Sequence, residues 1–262
     1  MPTNADEYDL PLLWDIAFDW DIAPELDRLV SLFAQYSVHP VHTVLELGCG
    51  CGRFLRHLPR RGYDATGIDI AEDFVDFANR HVDLPNARAV LGDMRTFDLE
   101  QRFDAAFCSA NTFRHLLTDD DIRMAWRALG THLRPGGVCV LDLELGLNHE
   151  GPRIGKWTTW FGRRGDVELR MNWRTAAPPD TAARRVPSEY KIEVESPAGP
   201  VTRGDRFDLR LYEGEEFAAL ATADGQFIIP AVYNLLTPHL FETSLANASG
   251  RVVIVAQRTG QN

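Results

Sequence analysis

The stretch that most constrains this chain runs from Thr43 to Leu58, TVLELGCGCGRFLRHL. Val44, Leu45 and Leu47 form a short apolar run of strand character. Gly48, Gly50 and Gly52 follow at every second position, and Phe54, Leu55 and Leu58 then recur at helical spacing. Glycine is needed where a backbone turns sharply or lets a ligand come within contact distance. A helix start beyond such a turn presents unpaired N–H groups and a partial positive charge. The pattern predicts a buried strand, a tight turn and a helix, with the turn holding the anionic or polar end of a small molecule.

The remainder has to supply a domain around that turn. With 262 residues, 45% of them hydrophobic, the chain is long enough for one large, well-buried core. No apolar run approaches the length of about 18 residues that reads as a membrane span. The opening MPTNADEYDL is polar and acidic, without a basic-then-apolar signal, so the cytoplasm is the expected compartment. The 4 cysteines, Cys49, Cys51, Cys108 and Cys139, lack disulfide or zinc-knuckle spacing and read as free thiols, and no metal is expected. A net charge of -11 argues against broad nucleic-acid binding, which needs basic surface.

Along the chain, Tyr8, Trp14, Phe18 and Trp20 make an aromatic N-terminal arm, and Leu26, Leu29, Val30 and Phe33 share one face of an amphipathic helix begun at Pro24. Strands are expected at 43–47, 64–70, 87–91, 103–109 and 138–143, with helices at 72–81 and 119–133 between them. Such alternation implies a parallel sheet covered on both faces. After Leu145 the period changes to two in KWTTWF, DVELRMNWRT, YKIEVES and RFDLRLY, as in antiparallel strands with one covered face. A helix at 213–223 and strands at 227–233 and 252–257 return to the first style. The expected fold is therefore α/β, Rossmann-like and doubly wound: a mostly parallel seven-stranded sheet with an antiparallel β insertion after the fifth strand. The expected division is an arm and helix at 1–40, a core at 41–145 and 213–262, and an insertion at 146–212.

Five ordered pieces carry a family resemblance: ELGCGCG after the first strand, GIDI after the second, LGDM after the third, FDAAFCS as the fourth and LRPGG before the fifth. Residues 43–143 resemble the core of a class I S-adenosylmethionine-dependent methyltransferase of the small-molecule type, similar to glycine and sugar N-methyltransferases. The G-x-G-x-G spacing also differs from the G-x-G-x-x-G of a dinucleotide site. The resemblance implies S-adenosyl-L-methionine as cofactor. Glu46 and the backbone of Gly48, Gly50 and Gly52 would then seat its methionine end, with Arg53 either pairing the carboxylate or lying on the surface. Asp69 would accept the ribose hydroxyls. Asp93, Met94 and Ile70 would hold the adenine, and the Ser109 carbonyl would face the ammonium. Tyr8 and Trp14 resemble rings that close over this cofactor.

Beyond the fourth strand, His115 is a candidate proton acceptor and Asn111 a candidate substrate hydrogen-bonding group; the plain alternatives are a turn-capping histidine and a turn asparagine. Trp157, Trp160, Trp173 and Tyr190 would line a substrate pocket or pack a sheet, and Arg163, Arg164, Arg170 and Arg174 would bind an anion or face solvent. The resemblance implies methyl transfer to a nitrogen or oxygen of a small molecule, with a homodimer through the insertion as an option. The rival readings are a non-catalytic cofactor-binding module, an NAD-dependent oxidoreductase, and a protein- or RNA-methylating enzyme. No Asn-Pro-Pro-Tyr-type segment follows the fourth strand, which speaks against the last of these.

Overall fold

A computed structural model describes residues 9–146, 154–195, 199–236 and 239–260. The main sheet contains β1 (Thr43–Leu47), β2 (Asp64–Asp69), β3 (Ala87–Leu91), β4 (Phe103–Cys108) and β5 (Leu133–Leu145), parallel in the order 3-2-1-4-5. Three further strands, β10 (Phe227–Leu236), β11 (His239–Thr243) and β12 (Gly250–Arg258), continue it antiparallel beyond β5 as 12-10-11. Helices α2 (Ala23–Tyr36) and α3 (Glu72–His81) cover one face; α4 (Asp119–His132) and α5 (Gly214–Thr222) cover the other.

Local chemistry explains these elements. In α2, Leu26, Leu29, Leu32 and Phe33 are buried on one stripe, and a proline stands in its first turn. A reciprocal capping box starts α4: Thr118 Oγ1 accepts from the Asp121 amide at 3.1 Å, and Asp121 Oδ2 accepts from the Thr118 amide at 3.0 Å. Central strands β1 and β4 are apolar and buried almost throughout, as strands covered on both faces must be.

A second sheet is antiparallel, in chain order β6 (Thr158–Arg164), β7 (Val167–Thr175), β8 (Arg185–Glu195) and β9 (Val201–Arg210). Helix α1 (Leu10–Ala17) packs Leu13, Ile16 and Ala17 on its Leu169, Met171, Ile192 and Val194. Asp9 caps α1 by accepting from the Leu12 amide at 2.9 Å. At the other end, Arg210 donates to the Leu117 carbonyl at 2.8 Å and pairs with Asp119 and Glu216, fastening the small sheet to α4 and α5.

The structure corrects the sequence reading in three places. The main sheet has eight strands, not seven, because β11 folds back on β10 as a hairpin at the edge. Residues 51–57 form successive turns, not a regular helix, closed by separate bonds such as Arg56 N–H to Gly52 O and Leu58 N–H to Phe54 O. Phe54, Leu55 and Leu58 are still buried, so the spacing marked the face correctly while Pro59 follows too soon for a helix to propagate. Finally, Pro135-Gly136-Gly137 lies inside β5 as a register shift against β4.

Candidate active site

One cleft of about 1160 Å³ opens where β1 is flanked by β2 on one side and β4 on the other. The chain order reverses there, and open α/β sheets bind ligands at such points. Its floor and near wall are Glu46, the 48–51 loop, Asp69, Ile70, Asp93, Met94 and the 108–112 segment. The far wall is the small sheet and α1, through Trp14, Trp160, Trp173, Tyr190 and Phe207.

Gly48, Gly50 and Gly52 have φ of +69°, +50° and +73°, a region where side chains are strained. A Cβ on Gly48 would also collide with Thr112 Cγ2. Their N–H groups are already used: Gly48 and Cys49 donate to the Ile68 carbonyl at 2.8 and 2.9 Å, Gly50 to Asp69 Oδ2 at 2.8 Å, and Gly52 to the Cys49 carbonyl at 2.9 Å. The glycine amides are thus committed, and what these positions offer is backbone surface cleared of side chains. Gly52 lies outside the cleft lining, and its missing Cβ leaves room for Ala78 of α3, 3.0 Å from where that atom would stand. Its role is packing.

Glu46 is 3% exposed, and its Oε2 has no hydrogen-bond partner among the described residues. Burial, reinforced by the nearby Asp69 charge, pushes its carboxyl well above the ordinary range, although Arg53 and Arg56 oppose this. Asp69 Oδ1 accepts from the Ala71 amide at 3.0 Å, so this carboxylate ties the glycine loop to the start of α3. Two backbone bonds leave it acceptor capacity toward the cleft. Ile70 is 68% exposed on the cleft wall, which removes core burial as its explanation.

Asp93 is more committed than expected. Arg95 binds both its oxygens, with Nε at 3.0 and 2.9 Å, and reaches Asp121 at 2.9 Å. That guanidinium holds the Asp93 carboxyl below its usual range. Ser109 lines the cleft, and its carbonyl accepts from the Thr112 amide at 3.1 Å. Arg53 pairs with Glu25 at 2.9 Å, with its guanidinium 4.7 Å from the Trp20 ring centroid.

Asn111 adopts φ +65°, and its Oδ1 accepts from the Glu144 amide at 2.7 Å, so its carbonyl end serves the turn. His115 lines the cleft and stacks on Phe207 with centroids 5.4 Å apart. The surrounding walls desolvate it and Arg114 repels a proton, holding its pKa below the ordinary value. Trp14 stacks on Phe18 at 5.2 Å and meets Tyr190 edge-on at 5.2 Å. Its ring packs on the sheet and lines the cleft together. Tyr8 lies outside the described residues.

A methyltransferase-domain family matches residues 44–137. The dTDP-3-amino-3,4,6-trideoxy-alpha-D-glucopyranose N,N-dimethyltransferase of Streptomyces venezuelae is 30% identical over 139 residues, 53% of this chain and 56% of that protein. The chain thus spans about half the length of the curated relatives it matches. The solved structure of SAM-bound CalS10, an amino pentose methyltransferase from Micromonospora echinaspora, superposes with a TM-score of 0.67 at 27% identity, covering 90% of this chain and 89% of that one. Residues 44–137 thus match a methyltransferase domain, and the chain as a whole is similar to S-adenosylmethionine-dependent methyltransferases. The structure of DesVI from Streptomyces venezuelae, at 21% identity, shares the fold over 97% of this chain and 98% of that one, with a TM-score of 0.77.

The cleft fits S-adenosylmethionine on its own terms. A buried, unpartnered Glu46 oxygen suits an ammonium, the glycine loop clears space for close approach, and Asp69 can accept hydroxyls. The sequence reading missed Phe207, which lies beneath His115, and the buried Arg114, which pairs with Glu144 at 2.7 Å and donates to the Arg210 carbonyl at 2.8 Å. Period-two alternation placed Phe207 on a strand, but only the β8–β9 register sets it opposite Ser188, on the cleft side. Among the tryptophans, Trp157 is not in the lining; it lies under Arg174 at 4.2 Å. Arg163, Arg164, Arg170 and Arg174 are paired with Glu168, Asp15 and Asp19, Glu193 and Glu189, so the anion-binding option is withdrawn.

Proposed function

We propose that this methyltransferase moves a methyl group from S-adenosylmethionine to a nitrogen of a small molecule. The carrying observation is the buried Glu46 carboxyl, unpartnered in the floor of a cleft whose neighbouring rim is glycine backbone and Asp69. The relatives named for amino-sugar N-methylation support nitrogen over oxygen. When bound, the cofactor supplies an electrophilic methyl on a sulfonium.

The chain's part is orientation, exclusion of water and removal of a proton. Glu46 and Asp69 would hold the polar ends of the cofactor, beside the Gly48 and Gly50 backbone and the Trp14 ring; Ile70, Met94 and Asp93 would hold the adenine. Trp160, Trp173, Tyr190 and Phe207 wall off the acceptor. His115, kept neutral at pH 7 by its depressed pKa, accepts a proton from the acceptor amine. Asn111 presents its amide NH2 end. In this reading residues 1–40 cover the cofactor and the 146–212 insertion covers the acceptor. The cytoplasm is the proposed compartment, in keeping with the four buried free thiols. No helix among the described residues is long and apolar enough to cross a membrane. A homodimer through the outer face of the small sheet is supported by Phe161, 77% exposed there.

Titration calorimetry with S-adenosylhomocysteine, the demethylated cofactor, tests this directly. Wild-type protein should bind, and Asp69→Ala should weaken binding roughly a hundredfold, about 2.7 kcal/mol, as for loss of hydrogen bonds to a charged acceptor. Folded wild-type protein that binds neither this ligand nor S-adenosylmethionine would sink the reading.

A further inference from the structure

Helix α1, part of the far wall, is bonded both to the cofactor-side segment 51–56 and to β6 of the small sheet. On the cofactor side, Cys51 Sγ of the glycine loop donates to the Pro11 carbonyl at 3.0 Å. Arg56, just beyond that loop, donates to Asp15 Oδ1 at 2.5 Å and to the Cys51 carbonyl at 3.4 Å. On the acceptor side, Arg164 of β6 donates to Asp15 Oδ2 at 2.7 Å and to Asp19 at 2.9 Å. Trp160 of the same strand donates its indole N–H to the Ala17 carbonyl at 2.8 Å. The strand sits so close that a Cβ on Gly162 would collide with the Ile16 carbonyl. Asp15 is the junction: its side chain is 4% exposed and each oxygen is bound by a guanidinium from a different side.

We propose that Asp15 is a positioning residue that couples the cofactor loop to the acceptor wall, so that filling the cofactor end firms β6 and the rings it carries. This deepens the proposed function and rests on it. The physical basis is a rigid intermediary with few alternatives. A buried carboxylate that loses one of two guanidinium partners is left under-compensated, so α1 is held less firmly when one side is unbonded. Any such coupling is reciprocal: what fixes the loop fixes β6, and what frees β6 loosens the loop.

The decisive variant is Arg164→Gln, because this side chain is outside the cleft lining and 38% exposed, and its loss need not unfold the chain. Calorimetry should show S-adenosylhomocysteine affinity reduced about fivefold to tenfold, the lower range of measured site-to-site couplings. Arg164→Lys should recover part of that loss. In a double-mutant cycle, Arg56→Gln together with Arg164→Gln should cost less than the two single losses combined, since both act through Asp15. Hydrogen exchange should show amides of 158–164 gaining protection on adding the ligand to wild type, and gaining none in Arg164→Gln. A variant with wild-type affinity and wild-type protection overturns the coupling, and a lowered melting temperature with unchanged affinity reduces Asp15 to a structural tie. Folded wild type that binds no S-adenosylhomocysteine overturns the proposed function and this inference with it.

Discussion

At the proposed cofactor end of the cleft, the groups assigned to the ligand come from short consecutive stretches and are held by backbone bonds. Asp69 is fixed by the amides of Gly50 and Ala71, and the glycine loop by the Ile68 carbonyl. At the acceptor end, rings arrive from α1 and from separate strands of the small sheet, and hold one another. Trp14 meets Tyr190, Trp173 meets Phe207 at 5.3 Å, and His115 reaches across from the 112–115 turn to stack on Phe207. The first end is set by main-chain geometry, in which one added atom is felt. The second is set by side-chain packing, which a shape-conserving exchange can preserve. Replacements should therefore divide cleanly between cofactor affinity and turnover.

The largest effect is expected from Gly48→Ala. A left-handed φ costs a residue with a side chain roughly 1–2 kcal/mol, and the new methyl would drive into Thr112, displacing the segment that carries Asn111 and His115. Cofactor binding should fall by more than about a hundredfold, and the melting temperature by roughly 2–4 °C per kcal/mol of strain. Calorimetry beside a thermal melt checks both. An alanine variant with unchanged affinity would show that the loop can relax and that the main-chain argument for this end is wrong.

His115→Asn probes the opposite end. Cofactor affinity should stay within about twofold, while kcat/KM falls about a hundredfold, the lower bound for a positioned proton acceptor. The sign with pH follows from the depressed pKa. Desolvation by the surrounding cleft walls and the Arg114 charge make protonation harder, so the acid limb of kcat/KM should lie below the ordinary imidazole value of about 6.5, with activity rising through it and then levelling. That limb should vanish in the asparagine variant. A variant that loses cofactor affinity in step with turnover would break the division between the two ends.

The same division governs what the sequence discloses. The glycine loop and Asp69 lie in short consecutive stretches, so spacing marks the loop and the family resemblance marks Asp69. Yet the bonds inside the loop were hidden, because the Ile68 carbonyl that takes two of its amides belongs to another strand. Gly52 looked like its two companions and proved to serve α3, a difference that only tertiary contact creates. The acceptor wall depends on register: Trp173 faces the cleft because it pairs with Tyr190, and Tyr190 because it pairs with Asp205. A shift of one residue would turn all of these outward. The edge hairpin of β11 was missed for a similar reason, since five residues at a sheet margin bury too little to leave a pattern.

Glu46 carries the smallest and most diagnostic prediction, because it is a side chain at the end where backbone dominates. Its carboxyl is pushed up mainly by burial and then by Asp69, so the folded protein keeps a proton that the unfolded chain gives up. Below the ordinary value of about 4.5, both states are protonated and Glu46→Gln should match wild type. As the pH rises above that value, the unfolded chain ionises while the folded chain resists, and wild type loses stability relative to the variant. The gap stops growing once the pH passes the raised folded value. At pH 7, Glu46→Gln should therefore melt higher, by about 2–4 °C for each kcal/mol of penalty relieved, with the difference closing toward pH 4.5. A cofactor ammonium arriving beside Glu46 stabilises its ionised form, so binding should release a proton in wild type and not in the variant. Calorimetry in buffers of different ionisation enthalpy reads that proton. If Glu46→Gln is destabilised at pH 7 and wild type releases no proton, Glu46 is an ordinary buried strand residue, and the cofactor end rests on its backbone and Asp69 alone.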